Sequence, residues 1–389
     1  MGLYANTVSI RQYQVTGDIP GTSELFDWAS NALNGRRFMT IEASSDESSE
    51  GWVPTDQPDG VPFETPDQCW RDRYLFMTYR RDQRRIPSAI LKSHIRQAEA
   101  AFLAERPELL RPPKRQREEI KERVVRSLMG KTLPTPGMVD LCWELDRGIV
   151  TVFSGSAVAA ERVETLLSKC FSSVNLSPIH PWRRALAVVA GEEREALAAL
   201  NRAGSTAVLD EIRSNQWLGR ELLCWLLEGG LSGASYQVTT PGHVETGTLF
   251  NAWIDDRMTL VGGGDGGVQK VVVSGMQDRY LEARSALKAG KDIEVARIHI
   301  EKDDLAWSCV LDAETFSFQS LRCPPVALDR GADDQALERE SLFLERMYLL
   351  ESGLQLFDSL LAQFIRCRVG ADWTAWSARY NAWLNEDQR

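Results

Sequence analysis

Residues 107–113 (PELLRPP) limit the fold more than any other feature, because their three prolines separate two stretches of helical periodicity. Before them, Leu91, Ile95 and Phe102 fall on one face of a helix predicted over residues 88–105. After them, KRQREEIKERVVRSLM predicts a second, strongly charged helix over 114–129 that ends at Gly130. Since proline cannot continue a helix, the two helices are predicted to form a hairpin arm with a basic tip.

The rest of the pattern predicts an α+β protein with antiparallel or mixed sheets, packed helices and this protruding arm. Strands are predicted at 3–15, 73–79, 138–145, 148–153, 248–261, 268–274, 293–301, 305–312 and 315–321. Further helices are predicted at 23–34, 156–171, 192–202, 205–228, 277–289 and from 333 onwards with a break at Gly370. Strands in meanders and helices in separate runs argue against a doubly wound sheet.

Two stretches are predicted to be irregular: 43–68, rich in Ser, Asp, Pro and Gly, and the loop 130–137. The whole chain is predicted to divide into four segments. These are an N-terminal α+β part (1–85), the basic arm (86–135), a central α+β domain (136–330) and a helical tail (331–389).

Charge is distributed unevenly along the chain. Residues 71–131 contain 17 Lys and Arg against 8 Asp and Glu, a net charge of +9, although the whole chain carries −10. The remainder therefore carries −19. Such asymmetry indicates one surface for a polyanion and a remainder that stays solvated.

Composition argues against several other classes of protein. The N-terminus has no basic stretch followed by an apolar one, and no window approaches 18 apolar residues, so we expect neither a signal peptide nor a membrane span. The seven cysteines lack C-x-x-C spacing, and the four histidines do not cluster near them. We expect reduced thiols in the cytoplasm, with no metal site and no cofactor.

The arm and its base carry the candidate DNA-binding residues. Phosphate binding needs several cations on one surface, because affinity comes largely from the release of counterions. The candidates are Arg84, Arg85, Arg111, Lys114, Arg115, Arg117, Lys121 and Lys131. The alternative is a solvated helix in which Glu118, Glu119 and Glu122 pair with neighbouring cations, and the residues alone leave both possibilities open.

Arg84 and Arg85 belong to a second cluster, RRDQRR at 80–85, which lies at a strand-to-helix junction and is equally typical of a polar loop. Beside it lie Tyr74, Phe76 and Tyr79. Aromatic rings stack on bases in many proteins that bind nucleic acids, and these three could do so here. Alternate aromatic residues of a strand more often pack in a core, and we favour that role here.

Enzymatic chemistry has weaker support. Asp67 and the sequence EIK at 119–121 resemble a scattered nuclease motif, but the second piece lies on a predicted helix rather than on a strand beside the first. Asp255-Asp256 and Asp303-Asp304 are typical of solvated turns. We therefore expect no catalytic residue, with a Mg²⁺-dependent exonuclease as the alternative.

Two further motifs have structural explanations. Residues 262–267 (GGGDGG) lack the Gly-Lys-Ser/Thr ending of a phosphate loop and predict the tip of a β-hairpin. Trp373, Trp376, Tyr380 and Trp383 recur at helical spacing. This spacing favours a helix docked on its own domain, with a protein-interaction tail as the alternative.

Short motifs resemble the family of the recombination-associated protein RdgC. In chain order they are GWVP at 51–54, RIPSAILK at 85–92, KERVVRSL at 121–128, a strand–turn–strand–helix order over 139–171, WLGRELL at 217–223 and AGK at 289–291. Their order and spacing, over roughly residues 40–365, carry the resemblance. The chain resembles a divergent, longer member.

The resemblance implies sequence-tolerant binding of double-stranded DNA by a homodimer that closes into a ring and restrains recombinase filaments at the nucleoid. The family's loop after the second helix is often basic and aromatic. Here residues 131–136 (KTLPTP) keep one cation, Lys131, and have Leu133 at the aromatic position. A dimer contact through this loop would differ chemically. A further alternative is a protein-interaction module of a phage or defence system that does not touch DNA.

Overall fold

The computed structural model describes residues 2–44, 46–264, 267–275, 280–326 and 335–386. Its strands are β1 (Thr7–Gly17), β2 (Ser48–Val53), β3 (Trp70–Arg71), β4 (Tyr74–Gln83), β5 (Thr135–Glu144), β6 (Ile149–Val152), β7 (Val174–Pro178), β8 (Ser235–Gln237), β9 (Leu249–Gly264), β10 (Gly267–Ser274), β11 (Asp292–Lys302), β12 (Leu305–Asp312) and β13 (Phe318–Arg322).

Its α-helices are α1 (Thr22–Asn34), α2 (Ser88–Ala104), α3 (Lys114–Met129), α4 (Ala157–Cys170), α5 (Pro181–Val188), α6 (Gly191–Ala198), α7 (Val208–Ser214), α8 (Gln216–Ser232), α9 (Leu281–Lys288), α10 (Gln335–Val369) and α11 (Asp372–Asn385), and Pro66–Gln68 forms a 3-10 helix. The strand pairs within each unit are antiparallel and the helices come in runs, so the α+β prediction is confirmed. Among the described residues, no helix is long and apolar enough to span a bilayer.

The chain forms two compact units. The first unit comprises Met1–Thr16, Arg147–Glu161 and Asn175–Arg389, and the second comprises Gly17–Asp146 and Arg162–Val174. The second unit contains the two arm helices, α2 and α3, and also β4 and β5, which flank them in the sequence. The four-segment division made from the sequence stays a prediction.

The second unit is built on a small antiparallel sheet in the order β2-β4-β5, with β3 also paired to β4. Its core is aromatic. The ring of Trp143 lies 5.7 Å from that of Phe171 and 6.1 Å from that of Trp28, both in edge-on arrangements. Trp52, on β2, is fully buried and its indole N–H lies 3.0 Å from Sγ of Cys170. These contacts hold one face of the sheet in place.

The first unit contains a larger sheet in the order β10-β9-β11-β12-β13-β1-β6, with β8 paired to β9. The helix α10 has 35 residues and is therefore about 52 Å long. It buries Phe343, Phe357 and Phe364 completely. The ring of Phe357 packs edge-on against Phe318 of β13 at 5.0 Å, which ties the helix to the sheet.

The C-terminal aromatic residues form a docked helix, as the spacing predicted. Trp376 of α11 is 5% exposed. Its ring stacks between Trp373, at 4.3 Å, and Tyr380, at 5.1 Å. The aromatic row therefore contributes to the packing of the first unit.

Several sequence-based boundaries were wrong. The stretch 43–68 contains β2, which pairs with β4 and was missed because Ser48–Glu50 are polar and only the end of the strand is buried. The single helix predicted over 205–228 is two helices, which meet at Asn215, whose side chain bonds to the backbone of Glu211 and Arg202. The strand β5 begins at Thr135, inside the predicted loop.

The glycine-rich motif connects paired strands. β9 and β10 pair from Arg257↔Ser274 to Gly264↔Gly267, as a hairpin requires. Residues 265 and 266 lie outside the described residues, as do 277–279 of the helix predicted at 277–289 and residues 333–334 at the start of the predicted tail.

Candidate nucleic-acid interface

The arm is an insertion between two neighbouring strands. β4 ends at Gln83, β5 begins at Thr135, and these two residues are directly paired. Pro87 immediately precedes α2 and Pro113 immediately precedes α3, so a proline fixes the start of each helix. The arm therefore leaves and re-enters the sheet at adjacent points.

The arm helices pack on each other over a thin interface. Among the residues of α2 and α3, all of which the structure describes, only Ile120 is fully buried. Leu91, Ile95 and Phe102 of α2 are half-buried. An ion pair crosses between the helices, with Arg117 Nε 3.8 Å from Glu99 Oε1. Most of the arm's surface is thus open to solvent.

Seven of the eight candidate DNA-binding cations are exposed. They are Arg85, Arg111, Lys114, Arg115, Arg117, Lys121 and Lys131. Lys114, Arg117 and Lys121 have i, i+3, i+7 spacing, which places them on one face of α3. Within the described part of the chain, neither Lys114 nor Lys121 has an ion pair or hydrogen bond. This face combines positive charge with two lysines that are free to bind an anion, while Arg117 between them also faces Glu99 of α2.

The opposite side of α3 partly fits the solvated-helix alternative. Arg115 Nε lies 3.2 Å from Glu119 Oε1, an i, i+4 pair in which both side chains are at least half exposed. Such a pair contributes little to stability, about 0.3–0.5 kcal/mol. The two descriptions of α3 therefore apply to different faces of the same helix.

Arg84 requires a correction. It is only 3% exposed. Its Nη2 donates to the carbonyls of Ile41 at 2.8 Å and Glu42 at 3.2 Å, and its Nη1 donates to that of Met129 at 3.2 Å. Because the guanidinium is buried among backbone carbonyls, we remove Arg84 from the set of residues that contact DNA.

The other arginines at the end of β4 are also occupied by local partners. Arg80 makes two 2.8 Å bonds to the carboxylate of the buried Asp82, donates to the carbonyl of Pro58 at 2.6 Å and lies 4.4 Å from the ring of Phe38. The bond to Asp82 raises the pKa of Arg80. Arg81 Nε is 3.9 Å from Glu50 Oε2. Both cations stabilise the sheet.

The aromatic residues of β4 belong to the core. Tyr74, Phe76 and Tyr79 are at most 3% exposed, which confirms the preference for packing over base stacking. Burial, together with the bond from its hydroxyl to Glu50 at 2.7 Å, raises the pKa of Tyr79.

Sequence reasoning missed two cations on the other helix of the arm. Lys92 and Arg96 of α2 are exposed, and their i, i+4 spacing puts them side by side. Their spacing in the sequence could have identified them. Both remain candidates to extend the basic surface from α3 onto α2.

The loop that leaves the arm exposes an apolar side chain. Leu133 is 81% exposed, and Lys131 beside it is also exposed. At the other end of the arm, Leu110 is completely exposed. An exposed apolar side chain is available for contact with another protein, although single ones are common on protein surfaces.

The carboxylates considered for nuclease chemistry have separate settings. Asp67 lies in the 3-10 helix Pro66–Gln68, and Glu119 lies on α3, paired with Arg115. Within the described ranges, no three His, Cys, Asp or Glu residues are grouped so as to hold a metal ion. The seven cysteines are free thiols, and burial raises the pKa of Cys309 to about 12, which keeps it protonated at neutral pH.

The fold and this surface define an α+β protein with a basic helical hairpin inserted between paired strands. Residues 9–191 match the model of a family described as "Putative exonuclease, RdgC". The match covers just under half of the chain and supports an RdgC-family member over these residues, as the motifs at 51–54, 85–92, 121–128 and 139–171 indicated. The motifs at 217–223 and 289–291 lie outside the match and stay predictions. A search of curated proteins finds no match.

Proposed function

We propose that this protein binds double-stranded DNA without sequence preference and without chemical reaction, and that its arm supplies the phosphate contacts. The observation that carries the proposal is the exposed row of Lys114, Arg117 and Lys121 on one face of α3. Contacts to phosphates position a protein on DNA but carry no sequence information. Affinity is therefore expected to be similar for unrelated sequences.

The spacing of this row suits a phosphate backbone. The three residues extend over about 10 Å along the helix axis. Successive phosphates of one strand are about 3.4 Å apart along the duplex, so the row spans roughly three of them. Arg111, just before α3, and Arg85 and Lys131, in the two connections at the base of the arm, add exposed cations at both ends of the row, whereas Arg115 lies on the opposite face of α3.

We further propose that two copies form a homodimer that encloses the duplex. Support comes from Leu133, which is 81% exposed in the loop leaving the arm, and from the separation of charge along the chain. A two-fold axis gives both copies the same contact and places two basic arms around one duplex. Closure slows dissociation, because DNA leaves only when an interface opens or a DNA end is reached.

The proposed biological role is to modulate homologous recombination. A protein that encloses duplex DNA at the nucleoid competes with recombinase filaments for the same substrate. Support for this role is the family match over residues 9–191.

The test uses purified protein with labelled relaxed circles and short linear fragments of the same duplex, with and without Mg²⁺. The proposal expects equal affinity for unrelated sequences, a steep fall of affinity with salt, and longer-lived complexes on circles. Absence of binding to any duplex would remove DNA from the function and favour the protein-interaction module. Equal lifetimes on circles and open fragments would remove the ring while leaving DNA binding.

A second candidate, a Mg²⁺-dependent exonuclease, is favoured by the description of the matched family. The same mixtures decide between the two functions when the DNA is recovered and sized on a denaturing gel. The proposal expects intact DNA after prolonged incubation with Mg²⁺ or Mn²⁺. Degradation that needs the metal and disappears in Asp67→Asn or Glu119→Gln would establish the nuclease instead.

A further inference from the structure

Arg84 occupies the hinge of the arm. The chain leaves the sheet after Gln83 and returns at Thr135, so two short connections, residues 84–87 and 130–134, attach the arm to its unit. Arg84 is the first residue of the outgoing connection, and its backbone N–H donates to the carbonyl of Glu47 at 2.9 Å. Its side chain reaches the end of the returning helix.

The guanidinium of Arg84 joins three carbonyls from two separate segments. Nη1 bonds Met129 at the end of α3, and Nη2 bonds Ile41 and Glu42 in the segment before β2. The carbonyl of Met129 is among the last four of its helix, which have no partner within the helix and carry its negative partial charge. One buried cation therefore ties the last turn of α3 to the body of the second unit.

Among the residues that the structure describes, few other contacts fix the direction of the arm. Its helices pack chiefly on each other, with Ile120 as their one fully buried side chain. A hairpin held only by two short connections samples many orientations. An anion-binding surface on it then costs free energy to order when DNA binds.

We propose that Arg84 is a positioning residue for DNA binding, which holds the arm in one orientation without touching DNA. This inference rests on the proposed function. A planar guanidinium offers several donors in a fixed geometry, whereas a lysine ammonium is a compact point charge on a flexible stem. Arg84→Lys is therefore expected to retain part of the effect and Arg84→Met none of it.

The experiment measures the arm directly. Spin labels are placed on Leu110→Cys at the arm's tip and Glu64→Cys in the body of the same unit, both exposed sites, and pulsed electron paramagnetic resonance gives their distance distribution. The native cysteines are buried or half-buried, and the protein without added cysteines gives the background. We expect a narrow distribution with Arg84, a broad one with Arg84→Met and an intermediate one with Arg84→Lys.

The second measurement is the affinity for DNA, which a purely structural role of Arg84 would not change. Arg84→Met is expected to weaken binding about tenfold, comparable with the loss of one or two buried hydrogen bonds, while the slope of log affinity against log salt stays unchanged. The matched control is Arg85→Met. Arg85 is the exposed neighbour of Arg84, and among the described residues its one hydrogen bond goes to Gln83 Oε1 at 3.4 Å. This variant is expected to leave the distance distribution unchanged and to reduce the salt slope by at most about 0.9.

Each outcome decides the proposal. An unchanged distance distribution in a folded Arg84→Met protein, checked by circular dichroism, overturns the hinge. A broadened distribution with unchanged affinity overturns the role in DNA binding. If Arg84→Met does not fold, Arg84→Lys takes its place. Its distance distribution and its DNA affinity are then compared with those of the unchanged protein, and the same outcomes apply. If the unchanged protein binds no DNA, the proposed function fails, while the distances still show whether Arg84 holds the arm.

Discussion

Gln83 and Thr135 are paired across β4 and β5 although 51 residues of chain lie between them. Their pairing closes the base of the arm. The outgoing and the returning connection therefore start from neighbouring positions on the sheet. The sheet of the second unit therefore presents the arm's cations without taking part in the proposed contact itself.

Charge reversal on α3 is expected to weaken DNA binding and to flatten its salt dependence. Each phosphate contact contributes about −0.9 to the slope of log affinity against log salt. Changing Lys114, Arg117 and Lys121 to Glu removes three contacts and adds repulsion. Fluorescence anisotropy of labelled duplex over a range of salt concentrations measures both effects, which should be equal for unrelated sequences.

The control for this experiment reverses three exposed cations elsewhere, Arg194, Arg213 and Lys288. The change of net charge is the same, so a general electrostatic effect would weaken both variants alike. Unchanged binding by the α3 variant would show that the arm is not the DNA surface.

Leu133→Asp is expected to weaken the proposed dimer. Burying a leucine side chain at an interface contributes about 1.5–3 kcal/mol, which corresponds to roughly a ten- to hundredfold change in the dimer dissociation constant. Light scattering over a dilution series gives the mass of the particle, and a dimer has about twice the 43.7 kDa of the chain. Leu209→Asp, at a leucine that is 66% exposed on α7, serves as the control. A monomer at micromolar concentration in the unchanged protein would contradict the dimer.

Trp376→Ala is expected to destabilise the first unit by about 3–5 kcal/mol, the usual loss for a buried aromatic side chain. Its ring is 5% exposed and stacks on two neighbours, Trp373 and Tyr380. Trp383→Ala, which removes a half-buried ring at the end of the same row, should cost less. Denaturant unfolding of the three proteins compares them, and equal stabilities would show that α11 is not anchored by this row.

Stability is expected to fall as the pH drops from about 7 to about 5, in part because of His180. The residue is 1% exposed, and its Nε2 lies 3.1 Å from Glu211 Oε2. Burial lowers the pKa of His180 below its ordinary value of 6.5, against the opposing effect of Glu211 and with the help of Arg183. The unfolded chain therefore binds more protons over this range, so acid favours unfolding.

His180→Gln should make the slope of stability against pH shallower. The contributions of other titrating groups should stay the same. Denaturant midpoints at a series of pH values measure the effect. A slope that stays as steep in the variant would assign the acid sensitivity to other residues.

The sequence predicted those elements whose signals are local. The bounds of α3 were predicted correctly because Pro113 precedes the helix and Gly130 follows it. By contrast, β2 becomes a strand only through its pairing with β4, and nothing in its own Ser48–Glu50 stretch indicates this. The exposed cations of α3 were predicted from composition alone. Charged residues of a helix are expected at the surface, and this expectation needs no knowledge of tertiary contacts.

The burial of Arg84 was beyond sequence reasoning for a physical reason. Its setting depends on two segments, at Ile41–Glu42 and at Met129, that are distant from it along the chain. Arg84 and Arg85 are adjacent and chemically identical, and only the fold assigns one to the interior and the other to the surface.

The pairing of β1 with β13 has a consequence for the order of events during synthesis. Thr7 pairs with Arg322, so this edge of β1 waits for β13 until the ribosome has added more than 300 residues, although β6, on the other edge, is complete by Val152. At the usual speed of translation this delay is about 15 to 60 s. The strands β2 to β5 are all complete by Glu144 and are free to pair during that interval. Newly made chains are thus exposed to chaperones and proteases mainly through an unfinished first unit.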